Sequence, residues 1–200
     1  MINVHPAAET LVEYASGALK TGARLVLGLH LQACEACRSE VARLEAIGGA
    51  LLAAEPEASL APNALDRALA SLERAERPEP KRMTLADMSK GFWAPIGKGA
   101  SMKPLPKVAD PGERLFLIRA EPGCYMPEHG HTGMERLVVI TGTFEDGQGR
   151  YGPGDLVERG PEDRHQPFAS GSETCLCLSA SEGPIKLHGL ARLAQIFLRV

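Results

Sequence analysis

The sequence predicts a multidomain α and β chain: a small N-terminal bundle of about four helices, then a C-terminal antiparallel β-barrel. Three observations carry this reading. Apolar residues recur at helical spacing as far as residue 75. Residues 76–82, Glu-Arg-Pro-Glu-Pro-Lys-Arg, hold two prolines and no apolar side chain, as a linker does. Beyond them, Gly and Pro recur every few residues between short strand-like runs. The expected division is a helical unit over 1–75, a linker over 76–89, and a barrel with a C-terminal helix over 90–200.

The first helix runs over Ala8–Lys20, with Leu11, Val12, Tyr14, Ala15 and Leu19 at helical spacing and Gly22 as its stop. A short helix follows over Leu25–Gln32. A longer one covers Cys34–Ala54, with Val41, Leu44, Ile47, Leu51 and Leu52 along one face. Asn63 is placed to cap a fourth, carrying Leu65, Leu69 and Leu72. So small a bundle has a modest core, and metal ligation would help to hold it together. In the second half, strands are expected at Arg114–Ala120, Glu135–Thr141, Thr143–Asp146, Asp155–Glu158 and Thr174–Ala180. Leu187–Leu198 returns to helical spacing and is suited to cover a sheet face or edge.

Of the 200 residues 44% are hydrophobic but only 4% aromatic, so the core must rest on aliphatic side chains. A net charge of −3 gives no general argument for nucleic acid or for a membrane surface. Residues 1–80 hold 7 Lys/Arg against 11 Asp/Glu, net −4, and the remainder 15 against 14, net +1. The acidic half would suit a basic partner, although the difference is small. No apolar run reaches the roughly 18 residues that cross a bilayer. The opening Met-Ile-Asn-Val-His-Pro lacks a basic and an apolar region, so a cytoplasmic chain with reduced thiols is expected. Its five cysteines then read as ligands, redox groups or core residues rather than disulfides.

Two ligand sets stand out. In His30-Leu-Gln-Ala-Cys34-Glu-Ala-Cys37, steps of four and three place an imidazole and two sulfurs on one face of a helix or helix–turn–helix. Those ligand types suit a soft tetrahedral ion such as zinc, which wants a fourth ligand. His5, ahead of the first helix, is the candidate; spacing alone equally allows a terminal histidine with no such role. A redox Cys-x-x-Cys would need a βαβ context that is missing here. The second set is His129, His131, Glu135 and His165. Positions 129 and 131 share one strand face, and three imidazoles with a carboxylate suit Zn, Mn, Fe or Ni. His188 lies outside both sets and reads as an ordinary surface or helix-start histidine.

Residues 123–142 match Gly-x5-His-x-His-x3-Glu-x6-Gly at every fixed position. In this the chain resembles the cupin superfamily over about residues 90–184. Gly152-Pro153-Gly154-Asp155 and His165 resemble its second motif, although Ala169 stands where an Asn usually closes it. A short bundle with His-x3-Cys-x2-Cys resembles the zinc-containing anti-sigma domain of bacteria, in which an N-terminal histidine completes the site; that supports His5. The order of bundle, linker and cupin looks like the ChrR type of anti-sigma factor. The resemblance implies a helical half that binds and occludes an extracytoplasmic-function sigma factor. It also implies a cupin half that responds to singlet oxygen or organic peroxide.

Helices with little core of their own can offer apolar faces to a partner, and Leu11, Leu19, Leu25, Leu27 and Leu29 are candidates both for that role and for internal core. Cys175 and Cys177 share a strand face near the second ligand set, and Cys124 precedes the ligand-bearing strand. These three read either as small buried hydrophobes or as the oxidisable groups of a signal. The rival class is a cupin-type metal-dependent enzyme, a dioxygenase or isomerase, with Glu128 or Tyr125 supporting the metal and the helices serving as an oligomerisation module.

Overall fold

The computed structural model of the chain describes residues 2–74 and 84–187. Most of the expected linker, His188 and the C-terminal helix expected beyond Leu187 lie outside them.

Four helices come first: α1 (Ala8–Ala15), α2 (Thr21–Ala33), α3 (Glu35–Ala54) and α4 (Ala64–Arg74). α1 is shorter than expected. Gly17, at φ 77°, turns the chain out of the helix, so Gly17 and not Gly22 is the stop. Gly22 lies in the first turn of α2, where a Cβ would stand 2.8 Å from the Glu113 carboxyl carbon. Cys34 ends α2 and caps α3, its sulfur accepting from the Cys37 N–H at 3.5 Å. Within the range assigned to the linker, α5 (Leu85–Ser89) forms a turn of helix closed by a Thr84–Asp87 capping box.

Twelve antiparallel strands follow among the described residues. Six make one sheet in the order β1-β2-β3-β11-β5-β8: Ala94–Gly97, Ala100–Pro104, Arg114–Ala120, Cys175–Ser181, Glu135–Thr141 and Leu156–Arg159. Two three-stranded sheets complete the fold. One pairs β10 (Phe168–Ala169), β6 (Phe144–Asp146) and β7 (Gly149–Tyr151). The other pairs β12 (Ile185–Leu187), β4 (His129–His131) and β9 (Arg164–His165). The five expected strands are all present within a residue or two; the others are mostly too short or too proline-broken to read.

Alternation on the large sheet decides where everything else goes. Phe116, Ile118, Val139, Val157, Cys175 and Cys177 point inward with Phe144 and Tyr151. Leu115, Leu117, Val138, Leu156, Leu178 and Ala180 point outward, and the helices cover them. Val26 and Leu27 of α2 are fully buried there. Leu11, Leu19 and Leu27, candidates for partner contact, are therefore core, whereas Leu25 is 40% exposed. The helical region thus shares one apolar cluster with the outer face of the sheet.

Carboxylates from the β region fasten the helices at their N-termini, where backbone N–H groups lack helical partners. Asp110 accepts from Thr21 N at 2.6 Å, and Glu113 accepts from Gly22 N and Ala23 N at 2.7 and 2.8 Å. Glu158 accepts from Ala7 N at 2.7 Å and from Thr10 Oγ1 at 2.6 Å.

α3 beyond Val41 is different. Every residue from Glu45 to Asn63 is exposed. Ile47, Leu51 and Leu52 on α3, then Leu65, Leu69 and Leu72 on α4, present 45 to 76% of their surface to solvent.

Candidate metal centres

The fold brings both predicted ligand sets together, each with ligand atoms within 4.8 Å of one another. At the first, the junction of α2 and α3 supplies His30, Cys34 and Cys37, and the extended segment ahead of α1 supplies His5. The His5 Nδ1 lies 3.4 Å from both the Cys34 and the Cys37 sulfur. A tetrahedral ion about 2.1 Å from nitrogen and about 2.3 Å from sulfur holds such atoms roughly 3.6 Å apart. His30 is fully buried, and its Nε2 finds no hydrogen-bond partner among the described residues. Its Nδ1 lies 2.7 Å from the Gly154 carbonyl oxygen, so Nδ1 carries the proton and Nε2 keeps its lone pair. A buried nitrogen with a free lone pair beside two sulfurs fits a cation ligand. Burial lowers the His30 pKa, and burial with the neighbouring Cys34 sulfur pushes the Cys37 thiol up to about 12. A cation in their midst would reverse the thiol's preference.

The second centre lies between the sheets. β4 carries His129 and His131, β9 carries His165, and β5 brings Glu135 from the facing sheet. His165 Nε2 lies 3.0 Å from His129 Nε2 and 3.4 Å from His131 Nε2, and Glu135 Oε2 lies 3.5 Å from His131 Nε2. Three imidazole nitrogens converging with a carboxylate fit a divalent transition metal. Burial lowers the pKa of His131 and takes that of His129 to about 4, keeping lone pairs free for an ion. Ser179 Oγ donates to Glu135 Oε1 at 2.6 Å and fixes the carboxylate.

Sequence reasoning missed Asp146. Its carboxylate is fully buried and accepts from His165 Nδ1 at 2.9 Å and Arg159 Nη2 at 2.8 Å. That leaves His165 Nε2 for the centre. Burial would raise the Asp146 pKa, but the bonds from Arg159 and His165 outweigh it and hold the group at about 2. From the sequence Asp146 reads only as the last residue of the expected strand Thr143–Asp146; an acid at a strand end before a ligand-bearing loop was the available signal.

Cys175 and Cys177 line an apolar cavity beside this centre, with Ile118, Ala120, Leu137 and Val157. Their sulfurs lie 3.6 Å apart. The bond between them lowers Cys175 and raises Cys177, which burial pushes further up. Cys124 is half-buried and bonds to the Gly99 carbonyl at 3.5 Å. Glu128 pairs with Arg164 at the surface, and Tyr125 is 60% exposed against Phe168, so neither supports the metal set.

A helical unit with a His/Cys cluster, docked on the outside of a β-sandwich with a His/Glu cluster, defines a protein of cupin fold with two candidate metal centres. The family of the ChrR cupin-like domain matches residues 81–185. Anti-sigma-E factor ChrR of Cereibacter sphaeroides is 32% identical over 213 residues, covering 100% of this chain and 99% of its own. The chain belongs to the ChrR family. It is similar also to a chain in the crystal structure of Rhodobacter sphaeroides SigE in complex with the anti-sigma ChrR, at 31% identity and a TM-score of 0.78, over 90% of this chain and 99% of that one. An RmlC-like cupin protein from Ralstonia eutropha is 20% identical over 58% of this chain and 83% of its own, with a TM-score of 0.45.

Proposed function

We infer that this protein is an anti-sigma factor. Its helical half, residues 1–75 in the reading above, binds and occludes an extracytoplasmic-function-type sigma factor, and its cupin half governs release. The observation that carries this is the row of uncovered apolar side chains on α3 and α4, beyond the His/Cys cluster at the start of α3. A helix with Leu65, Leu69 and Leu72 open to water at spacings of four and three is ready to lie in a partner's groove. ChrR, similar over the whole length, is itself an anti-sigma factor, and the similar solved chain comes from a complex with a sigma factor. Regulation, not catalysis, is the role.

In this reading His5, Cys34, Cys37 and His30 hold zinc, and His129, His131, Glu135 and His165 hold zinc or another divalent transition metal. Both ions are structural or sensory. Residues 76–89 join the two functional halves. The signal is oxidative, singlet oxygen or an organic peroxide, and it acts at the cupin centre or at Cys175 and Cys177. The site of action is the cytoplasm, where the polymerase is. Among the described residues no helix is long and apolar enough to cross a membrane.

The test is co-expression with a candidate sigma factor and recovery of the complex on a tag carried by the full chain. A stoichiometric complex that blocks sigma-dependent transcription is expected. A full, metal-loaded chain that retains no sigma factor overturns the proposal.

A further inference from the structure

Three contacts around the His/Cys centre come from one turn of the other half of the molecule. The first is the Gly154 carbonyl, 2.7 Å from His30 Nδ1. The second is the Asp155 carboxylate, whose Oδ1 accepts from Asn3 N at 2.7 Å and Val4 N at 3.0 Å, while its Oδ2 accepts from Gly152 N at 2.8 Å within the turn. The third is the Leu156 N–H, which donates to the Val4 carbonyl at 3.1 Å. Residues 3 and 4 thus lie alongside the start of β8, and the next residue is His5. The helices alone place Cys34, Cys37 and the backbone of His30. The tautomer of His30 and the position of His5 are set from outside.

The fit at this turn is close. Gly154 has φ +89°, and a Cβ there would stand 2.9 Å from Ile2 Cγ1 and Cδ1 and 3.4 Å from Ala33 Cβ. The turn is also tied inward. Gly154 N donates to Val139 O at 2.9 Å, and Val139 N donates to Asp155 O at 3.1 Å. Val139 belongs to β5, the strand that begins with Glu135 of the second centre.

We propose that Gly154 and Asp155, in the cupin half, are positioning residues of the N-terminal metal centre, so that its hold on an ion depends on the docking of the two halves. This rests on the reading that the His/Cys centre binds zinc. Outer partners that orient a ligating histidine commonly change metal affinity 10–100-fold. By linkage the dependence is mutual: losing the ion loosens the turn, and loosening the turn loosens the ion.

The full chain loaded with Co2+ at both centres tests this, because only a thiolate-bound cobalt gives a sulfur-to-metal charge-transfer band. Decay of that band in excess chelator is followed for wild type, Asp155→Ala, Gly154→Ala and Val4→Pro. The last removes one N–H donor and leaves the cupin turn intact, so it decides the matter if the turn variants do not fold. About 10-fold faster decay in the folded variants is expected, with release from the cupin centre, followed by total metal, unchanged. Decay at the wild-type rate in folded Val4→Pro and Asp155→Ala overturns the inference alone. No charge-transfer band in the wild-type chain overturns the metal reading and the inference with it.

Discussion

Glu135 and Arg136 stand back to back on β5. Glu135 points inward, bonded to Ser179 and facing His131. Arg136, 5% exposed, points outward under α1 and pairs with Glu13 at 3.0 Å, Glu158 at 3.2 Å and Glu182 at 3.0 Å. A single strand therefore holds a ligand of the cupin centre on one face and the anchor of the first helix on the other.

Arg136→Met removes that anchor and leaves three carboxylates, two of them well exposed, near one another. Because water already reaches those partners, the expected loss is about 1–2 kcal/mol rather than the cost of stranding a buried charge. Hydrogen exchange should show α1 amides opening faster while β5 stays protected. Unchanged protection in α1 would mean that the apolar cluster alone docks the helix.

Asp146→Asn takes away the carboxylate that orients His165. Metal at the cupin centre should bind about 10–100-fold more weakly, and metal at the His/Cys centre as before. Competition with a chromophoric chelator separates the two. Equal loss at both centres would point to general unfolding instead.

The leucines divide by exposure. Leu65→Ser with Leu69→Ser and Leu72→Ser should leave the melting temperature of the free protein nearly unchanged and abolish retention of the sigma factor. Leu27→Ala should do the reverse, destabilising the fold by about 2–5 kcal/mol through a cavity between α2 and the sheet. A triple variant that still retains its partner would place the docking surface elsewhere.

The metal-free protein should be acid-sensitive. The folded-state pKa of His129 is about 4 against an ordinary 6.5, and those of His131 and His30 are also lowered. Between these values the unfolded chain binds more protons than the folded one. Stability is therefore full above about pH 6.5 and falls as the pH drops towards 4. Denaturant unfolding of chelator-treated protein at pH 7.5 and pH 5 measures the drop, and His129→Asn should make it shallower. Equal stability at the two values would refute it.

Cys175→Ser with Cys177→Ser preserves side-chain volume approximately and removes the oxidisable sulfurs. Oxidant-driven release of the sigma factor should be blunted while binding in its absence stays intact. Release that proceeds as in the parent protein would leave the pair as packing.

The ligand sets were legible because their geometry is local. His30, Cys34 and Cys37 sit on one helix junction and His129 and His131 on one strand face, with Glu135 four residues further on at the start of the next strand, so short spacings hold most of each set together. His5 and His165 arrive from elsewhere in the chain, and the family resemblance supplied what spacing did not. Long strands such as Arg114–Ala120 showed their alternation, but two-residue strands such as Arg164–His165 have none to show. The docking of the halves was invisible. It rests on carboxylates that find their donors about 90 to 150 positions away, as Glu113 finds Gly22 and Asp155 finds Asn3. For the same reason Gly22 read as a helix stop rather than as room for a carboxylate, and Asp146 only as the end of a strand.

The stretch from Glu45 onward, with α4 beyond it, bears on how long the molecule lasts. A helix without tertiary packing opens readily, and an opened segment is a protease substrate. Sheltered against a sigma factor as proposed, the same stretch would be protected. Surplus regulator would then be destroyed until its amount matches that of the sigma factor, a stoichiometry kept by degradation rather than by synthesis.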